Sequence, residues 1–323
     1  MPDETVRDEA APDGTAGTAP DEAAPDGTAA LAVPDEAAPD GTAATAQHPR
    51  RASGRDLFSS EISVLFRRRR TWAMLLALAA VPVLIAVAVR LSQSAVPAGR
   101  GPAFLDRVTA NGLFVGFSAM VLCIPLFLPL TVGVVAGDTI AGEASLGTLR
   151  YLLISPTGRL RLLLAKFTGA GAFALAGTLT VLAAGAGIGL ALFPVGPVTL
   201  LSGDTIGAGG TVMRMLLLAG YVTVSLFGLT AIGLFLSTLT DVPVGAMAAT
   251  VVLSIASQVM DALPQLEPIH PWLFTHYWLG FADLLRQPVA WTSFGDNAVL
   301  QLGYIAVFGA LAYGRFSTKD ILS

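Results

Sequence analysis

Charge is scarce in this 323-residue chain: Asp, Glu, Lys and Arg make up only 13% of it, against about a quarter in soluble globular proteins. With 54% hydrophobic residues and a mean hydropathy of +0.68, a soluble globular fold is excluded and an integral membrane protein is implied. Cysteine is nearly absent, and the single Cys123 rules out an intrachain disulfide framework. No GxxxxGK[ST] segment occurs, so the chain does not cradle nucleotide phosphates in the usual loop, and nucleotide energy has to reach it through a partner. Only three histidines are present, His48, His270 and His276, with no HExxH and no GxSxG. Metal-assisted and serine-elbow hydrolysis therefore have no local signature. Basic residues are spread along the chain without a base-stacking platform, which speaks against nucleic-acid binding.

The apolar runs also lack Asp, Glu, Lys or Arg near their middles, so the ion and proton relays of many secondary transporters have no carrier. Charge is concentrated at the amino-terminal end. Residues 1–47 hold eleven of the 23 acids and one base, Arg7, and DEAAPDGTA recurs at Asp8, Asp21 and Asp35. Pro, Gly and acids with few large apolar side chains bury too little surface to offset ordering entropy, so residues 1–52 read as a disordered acidic repeat tail.

Residues 53–70 read as an interfacial amphipathic helix leading into the first span. Leu57, Phe58, Ile62, Leu65 and Phe66 fall at helical spacing, Ser53 is placed to cap, and Arg67 to Arg70 close the segment. From 71 to 323 six apolar runs follow, at about 71–89, 113–136, 167–193, 215–237, 242–260 and 298–314. Their length and lack of alternation predict six transmembrane helices, hence an all-α integral membrane protein. Pro82, Pro125 and Pro129 are expected to kink the first two spans. Gly185 with Gly189, and Gly220, Gly228 and Gly233, mark close helix packing. His270 and His276 share a connection with Trp272, Phe274, Tyr277, Trp278 and Phe281, the composition of an interfacial or re-entrant hairpin.

Lys and Arg set the orientation. With the amino terminus inside, thirteen of them lie on the inner side, while Arg90, Arg100, Arg107, Arg214 and Arg286 lie outside. The positive-inside rule then puts both termini, and the connection between spans two and three, in the cytoplasm. A multi-pass protein of the plasma membrane is expected.

That connection holds the richest polar vocabulary of the membrane region. Asp138 closes the second span, Glu143 follows, and Gly147 and Thr148 end one helical segment and cap the next. Leu149, Leu152 and Leu153 share one face of a short helix with Arg150 on another; Pro156 stops it; Arg159, Arg161 and Lys166 lead into the third span. A helix of about six residues does not persist alone in water, so it needs a surface to lie against.

The stretch GDTIAGEASLGTLRYLLISPTGRLRLLLAK resembles the loop between the second and third spans of ABC transporter permeases of the type-two exporter family. The six spans, the amphipathic lead-in helix, the Pro- and aromatic-rich segment before the last span and the closing RFSTKDIL extend the likeness over roughly residues 55–323. Ala144, Ser145 and Leu146 stand where that family carries a more charged run. The resemblance implies a permease subunit with a cytoplasmic coupling helix between spans two and three. It implies a second permease half, a copy or a related chain, and a cytoplasmic ATPase subunit that carries ATP and Mg, with no cofactor on this chain. It gives Glu143 and Arg150 as polar contacts to the ATPase and Gly147 and Thr148 as turn and cap. Leu149, Leu152 and Leu153 become the docking face, ended at Pro156, and Arg159 the anchor at the headgroups.

Two other classes stay open at this stage. A membrane scaffold or sensor without transport shares the same span pattern. An intramembrane enzyme has Ser118, Ser225, Ser254 and Ser257 as nucleophiles but no histidine within a span.

Overall fold

The computed structural model describes residues 54–92, 111–148, 158–194, 196, 198–200 and 202–318. The acidic tail, Ser53, most of the 90–112 connection and the stretch from Leu149 to Thr157 lie outside the described residues. In chain order the helices are α1 (Gly54–Arg67), α2 (Arg69–Ser92), α3 (Phe114–Leu122), a π-turn (Cys123–Phe127), α4 (Leu128–Ser145), α5 (Arg159–Leu192), α6 (Ala208–Leu239), α7 (Pro243–Asp261) and α8 (Thr292–Thr318). Short 3-10 helices occupy Pro264–Trp272 and Gly280–Leu285, and a two-residue antiparallel ladder pairs Val198 with Ile206 and Thr199 with Thr205. Among the described residues six stretches are long and apolar enough to cross a membrane, with α3, the π-turn and α4 counting as one.

The helices run past the apolar runs. The third begins at Arg159 rather than near 167 and has 34 residues, roughly 50 Å of helix against about 30 Å of hydrocarbon. Nothing in the backbone forces a helix to stop where the apolar run ends, so the turn carrying Arg159 and Arg161 continues it. The fourth span likewise starts at Ala208, which draws Arg214 into the helix. Arg214 is buried there, donating to the carbonyls of Leu284 and Arg286 and to Gln287 Oε1, so a full charge is accommodated at the end of the bundle far from α1.

α6 is the central helix: 72% of its most apolar window is buried, against 17% for α8. It packs on α8, α4, α5 and α7, while α2 and α3 pack on α5. Phe117, Phe173, Leu128, Leu218, Leu226 and Leu229 fill the shared core. Several buried hydroxyls in these apolar helices bond back to their own backbone, as Thr178 does to Ala174 O, Thr230 to Leu226 O and Thr250 to Ala246 O, which satisfies those donors in the low-dielectric interior.

Small residues place α3 against α5. A β-carbon on Gly189 would stand 1.9 Å from Gly112 O, and one on Gly185 would stand 2.6 Å from Gly116 Cα, so the two backbones touch where the GxxxG spacing predicts. Gly233 serves α4 in the same way, but a β-carbon on Gly220 would meet nothing within 4 Å, so that glycine is not a packing point. Pro125 lies inside the π-turn, where widening accommodates a ring that has no N–H and would otherwise press on the preceding turn; Leu128 N bonds to Cys123 O, five residues back.

The aromatic connection is packed rather than loose. Trp278 Nε1 donates to Ser225 O at 2.9 Å, Gln301 Nε2 donates to Phe274 O at 2.9 Å, and Tyr221 donates its hydroxyl to Tyr277 O. Phe274, Trp278, Phe281 and Leu284 are buried.

Candidate coupling site at the end of the second span

α4 ends through a specific local geometry. Gly147 adopts φ 69°, its N–H donates to Ala144 O at 3.0 Å, and Thr148 N donates to Glu143 O at 3.0 Å. These are the two bonds of a Schellman closure, which needs a left-handed residue where side chains are strained, and glycine supplies it. Thr148 Oγ1 adds a bond to Glu143 O at 3.1 Å. Gly147 and Thr148 are thus the turn that terminates the second span, and both are exposed. Leu149, Arg150, Leu152, Leu153 and Pro156, which the sequence marks for the coupling helix, lie outside the described residues.

On the far side of the connection α5 starts at Arg159, whose guanidinium donates to the carbonyls of Phe316 and Ser317 at the end of α8. Cations are favoured at helix carboxyl ends, where unpaired carbonyls gather negative potential. Two turns on, Lys166 is buried and its Nζ bonds to both Glu61 Oε1 of α1 and Glu143 Oε1 of α4. One ammonium therefore joins three elements that meet nowhere in sequence. Glu143 Oε2 is buried without a hydrogen-bond partner. An uncompensated carboxylate oxygen in such a place makes the ammonium essential to the arrangement.

A second ion group lies beside it. Asp138 of α4 accepts from Arg70 at 3.0 Å and from Arg68 at 3.4 Å, in the break between α1 and α2. That break is itself closed by side chains, Thr71 Oγ1 to Leu65 O at 2.6 Å and Trp72 Nε1 to Phe66 O at 2.9 Å. Between the two ion groups runs a small cleft of about 50 Å³. On its opposite flank Ser237 of α6 accepts the backbone N–H groups of Ile140 and Ala141 at 2.9 and 2.8 Å. The last turns of the second span are therefore held from three directions: by Arg68 and Arg70 around the start of α2, by Lys166 of α5 and by Ser237 of α6.

Sequence reading did not give Glu61 or Lys166 a role in the site. The available signal was scarcity. Lys166 is one of only two lysines in the chain, and it sits two helical turns after Arg159 at the start of the third span. Glu143, expected as a polar contact to a partner, spends its Oε1 on Lys166, and Arg159, expected at the headgroups, spends its guanidinium on α8. The serines proposed for intramembrane chemistry are engaged within the helices or with Thr275 and Asn297, except Ser118, whose Oγ is buried without a partner. Among the described residues no hydrogen bond joins any of them to His270 or His276; His276 bonds to Asp261 at 2.7 Å.

Residues 55–321 match the family of ABC-2 family transporter proteins. The chain is a member of the ABC-2 transporter family. The match covers every described element from α1 to α8, so the six spans and the lead-in helix together form the ABC-2 membrane domain. An ABC-2 membrane domain is the permease subunit of an ABC transporter, and it works with an ABC ATPase partner at the membrane. Comparison with curated proteins gives no match.

Proposed function

We propose that this chain is the permease half of an ATP-driven exporter of the plasma membrane, with both termini and the 146–158 connection in the cytoplasm. A separate ATPase subunit carries ATP and Mg and docks on the connection through Leu149, Leu152 and Leu153, with Arg150 at the rim and Pro156 ending the docking helix. A second permease half, a copy or a related chain, completes the translocation path. Residues 1–52 form the acidic tail, 53–70 the interfacial helix and 71–323 the permease domain. The observation that carries the reading is the placement of Lys166: the helix ends on both sides of the connection are locked to α1 and to each other, so a push on the connection moves several helices together. Glu143 contributes by fixing, through Lys166, the end of the second span from which the connection departs.

The test is reconstitution with the ATPase that copurifies in mild detergent. Leu152→Ala combined with Leu153→Ala removes two interface anchors and is expected to weaken ATPase association by roughly ten-fold or more while insertion is normal. Parental binding and transport by that double variant would overturn the docking role. Copurification without any ATPase would turn the reading toward a membrane scaffold.

A further inference from the structure

At the end of the bundle far from α1, one face of α8 and the aromatic segment enclose a groove of about 770 Å³, within the range of small-ligand sites. Asp296, Tyr304 and Phe308 lie at helical spacing along its floor, and Trp272 and Tyr277 stand opposite. The Tyr304 and Phe308 rings are stacked, 5.8 Å apart and 3° from parallel. Tyr304 donates its hydroxyl to Trp272 O at 2.8 Å, which ties floor to wall. A β-carbon on Gly303 would meet nothing within 4 Å, so the floor is notched at its centre.

Asp296 is the telling residue. It is exposed, lies beyond the first turn of α8 where the helix dipole would favour an acid, and forms no ion pair or hydrogen bond among the described residues. Among the described residues no Lys, Arg or His lines the groove. An aromatic anchor at a membrane boundary needs Trp and Tyr but no carboxylate. Four aromatic rings with one unpaired carboxylate are what a cation with an apolar body requires, its charge facing Asp296 and the negative ring faces.

We propose that this groove binds amphiphilic organic cations. A zwitterionic lipid headgroup is the poorer fit, because its phosphate would meet Asp296 with no base to pair it. The proposal concerns binding to this chain alone and stands whether or not ATP coupling works as above.

The test is equilibrium dialysis of the full chain in maltoside micelles with tetraphenylphosphonium, set against tetraphenylborate, which has the same shape and the opposite charge. Saturable binding of the cation and none of the anion is expected. Asp296→Asn should weaken it about ten-fold. Gly303→Leu, at a position where a β-carbon meets nothing within 4 Å, places a side chain in the notch and should abolish binding, with an unchanged elution profile as the folding control. Added phosphatidylcholine should compete weakly. Equal binding of the two ions, unchanged affinity in Asp296→Asn, or full displacement by phosphatidylcholine would each overturn the assignment.

Discussion

Glu143 and Lys166, 23 positions apart, are joined by an ion pair that spans the whole connection between the second and third spans. The helix ends on either side of the connection are fixed relative to each other before any partner arrives. In the proposed coupling role, a connection mounted on such a base would transmit displacement that a loose loop would absorb.

Replacing the ammonium exposes how the site is balanced. Lys166→Met leaves Glu61 and Glu143 facing each other, mostly out of water, and should cost about 3 kcal/mol, seen as a lower unfolding temperature in detergent. Adding Glu61→Gln and Glu143→Gln removes the stranded charges and should recover most of the loss. An unchanged melt for the single variant would show the pair to be energetically idle.

Gly147 and Gly158 offer a paired comparison. Added β-carbons meet nothing within 4 Å at either position, but only Gly147 has a positive φ, 69°. Gly147→Ala should therefore cost about 1 kcal/mol and loosen the turn, while Gly158→Ala should be silent. Limited proteolysis across residues 146–158 reads the difference; equal rates would contradict the Schellman closure.

Two neighbouring glycines of α5 should behave oppositely. Gly189→Ala drives a methyl into Gly112 O, 1.9 Å away, whereas Gly187→Ala points into open space. The first should elute as aggregate or fail to accumulate, and the second should match the parent by size-exclusion chromatography.

Orientation is testable in a Cys123→Ala background, which removes the one native thiol. Thr157→Cys should react with an impermeant maleimide only after the membrane is opened. Reaction in intact cells would reverse the assignment of sides drawn from the Lys and Arg asymmetry.

Much of the fold was legible because membrane helices announce themselves by length and by missing charge, and all six were countable from hydropathy. Their ends were not, since polar first turns such as Arg159 to Arg161 extend a helix without adding hydrophobicity. The packing role of Gly185 and Gly189 was readable from spacing, whereas that of Gly220 failed because spacing alone does not say which face meets a neighbour. Of the site, Gly147 was found by its turn chemistry. Glu61 and Lys166 were not, because 105 positions separate them and only the packing of α1 on α5 brings them together.

The π-turn at Cys123–Phe127 gives the second span one residue more than a regular helix of the same height would hold. Such a turn works as a spacer in the genetic sense. Removal of a single codon there shortens the helix by relaxing it to regular winding, leaving the faces of α3 and α4 nearly where they were. The same deletion a few turns away would swing every later side chain by about 100° and point Asp138 and Glu143 away from their cations. Length variation among relatives of this domain is therefore expected to cluster at Pro125, and a deletion scan through residues 114–145 would map that tolerance directly.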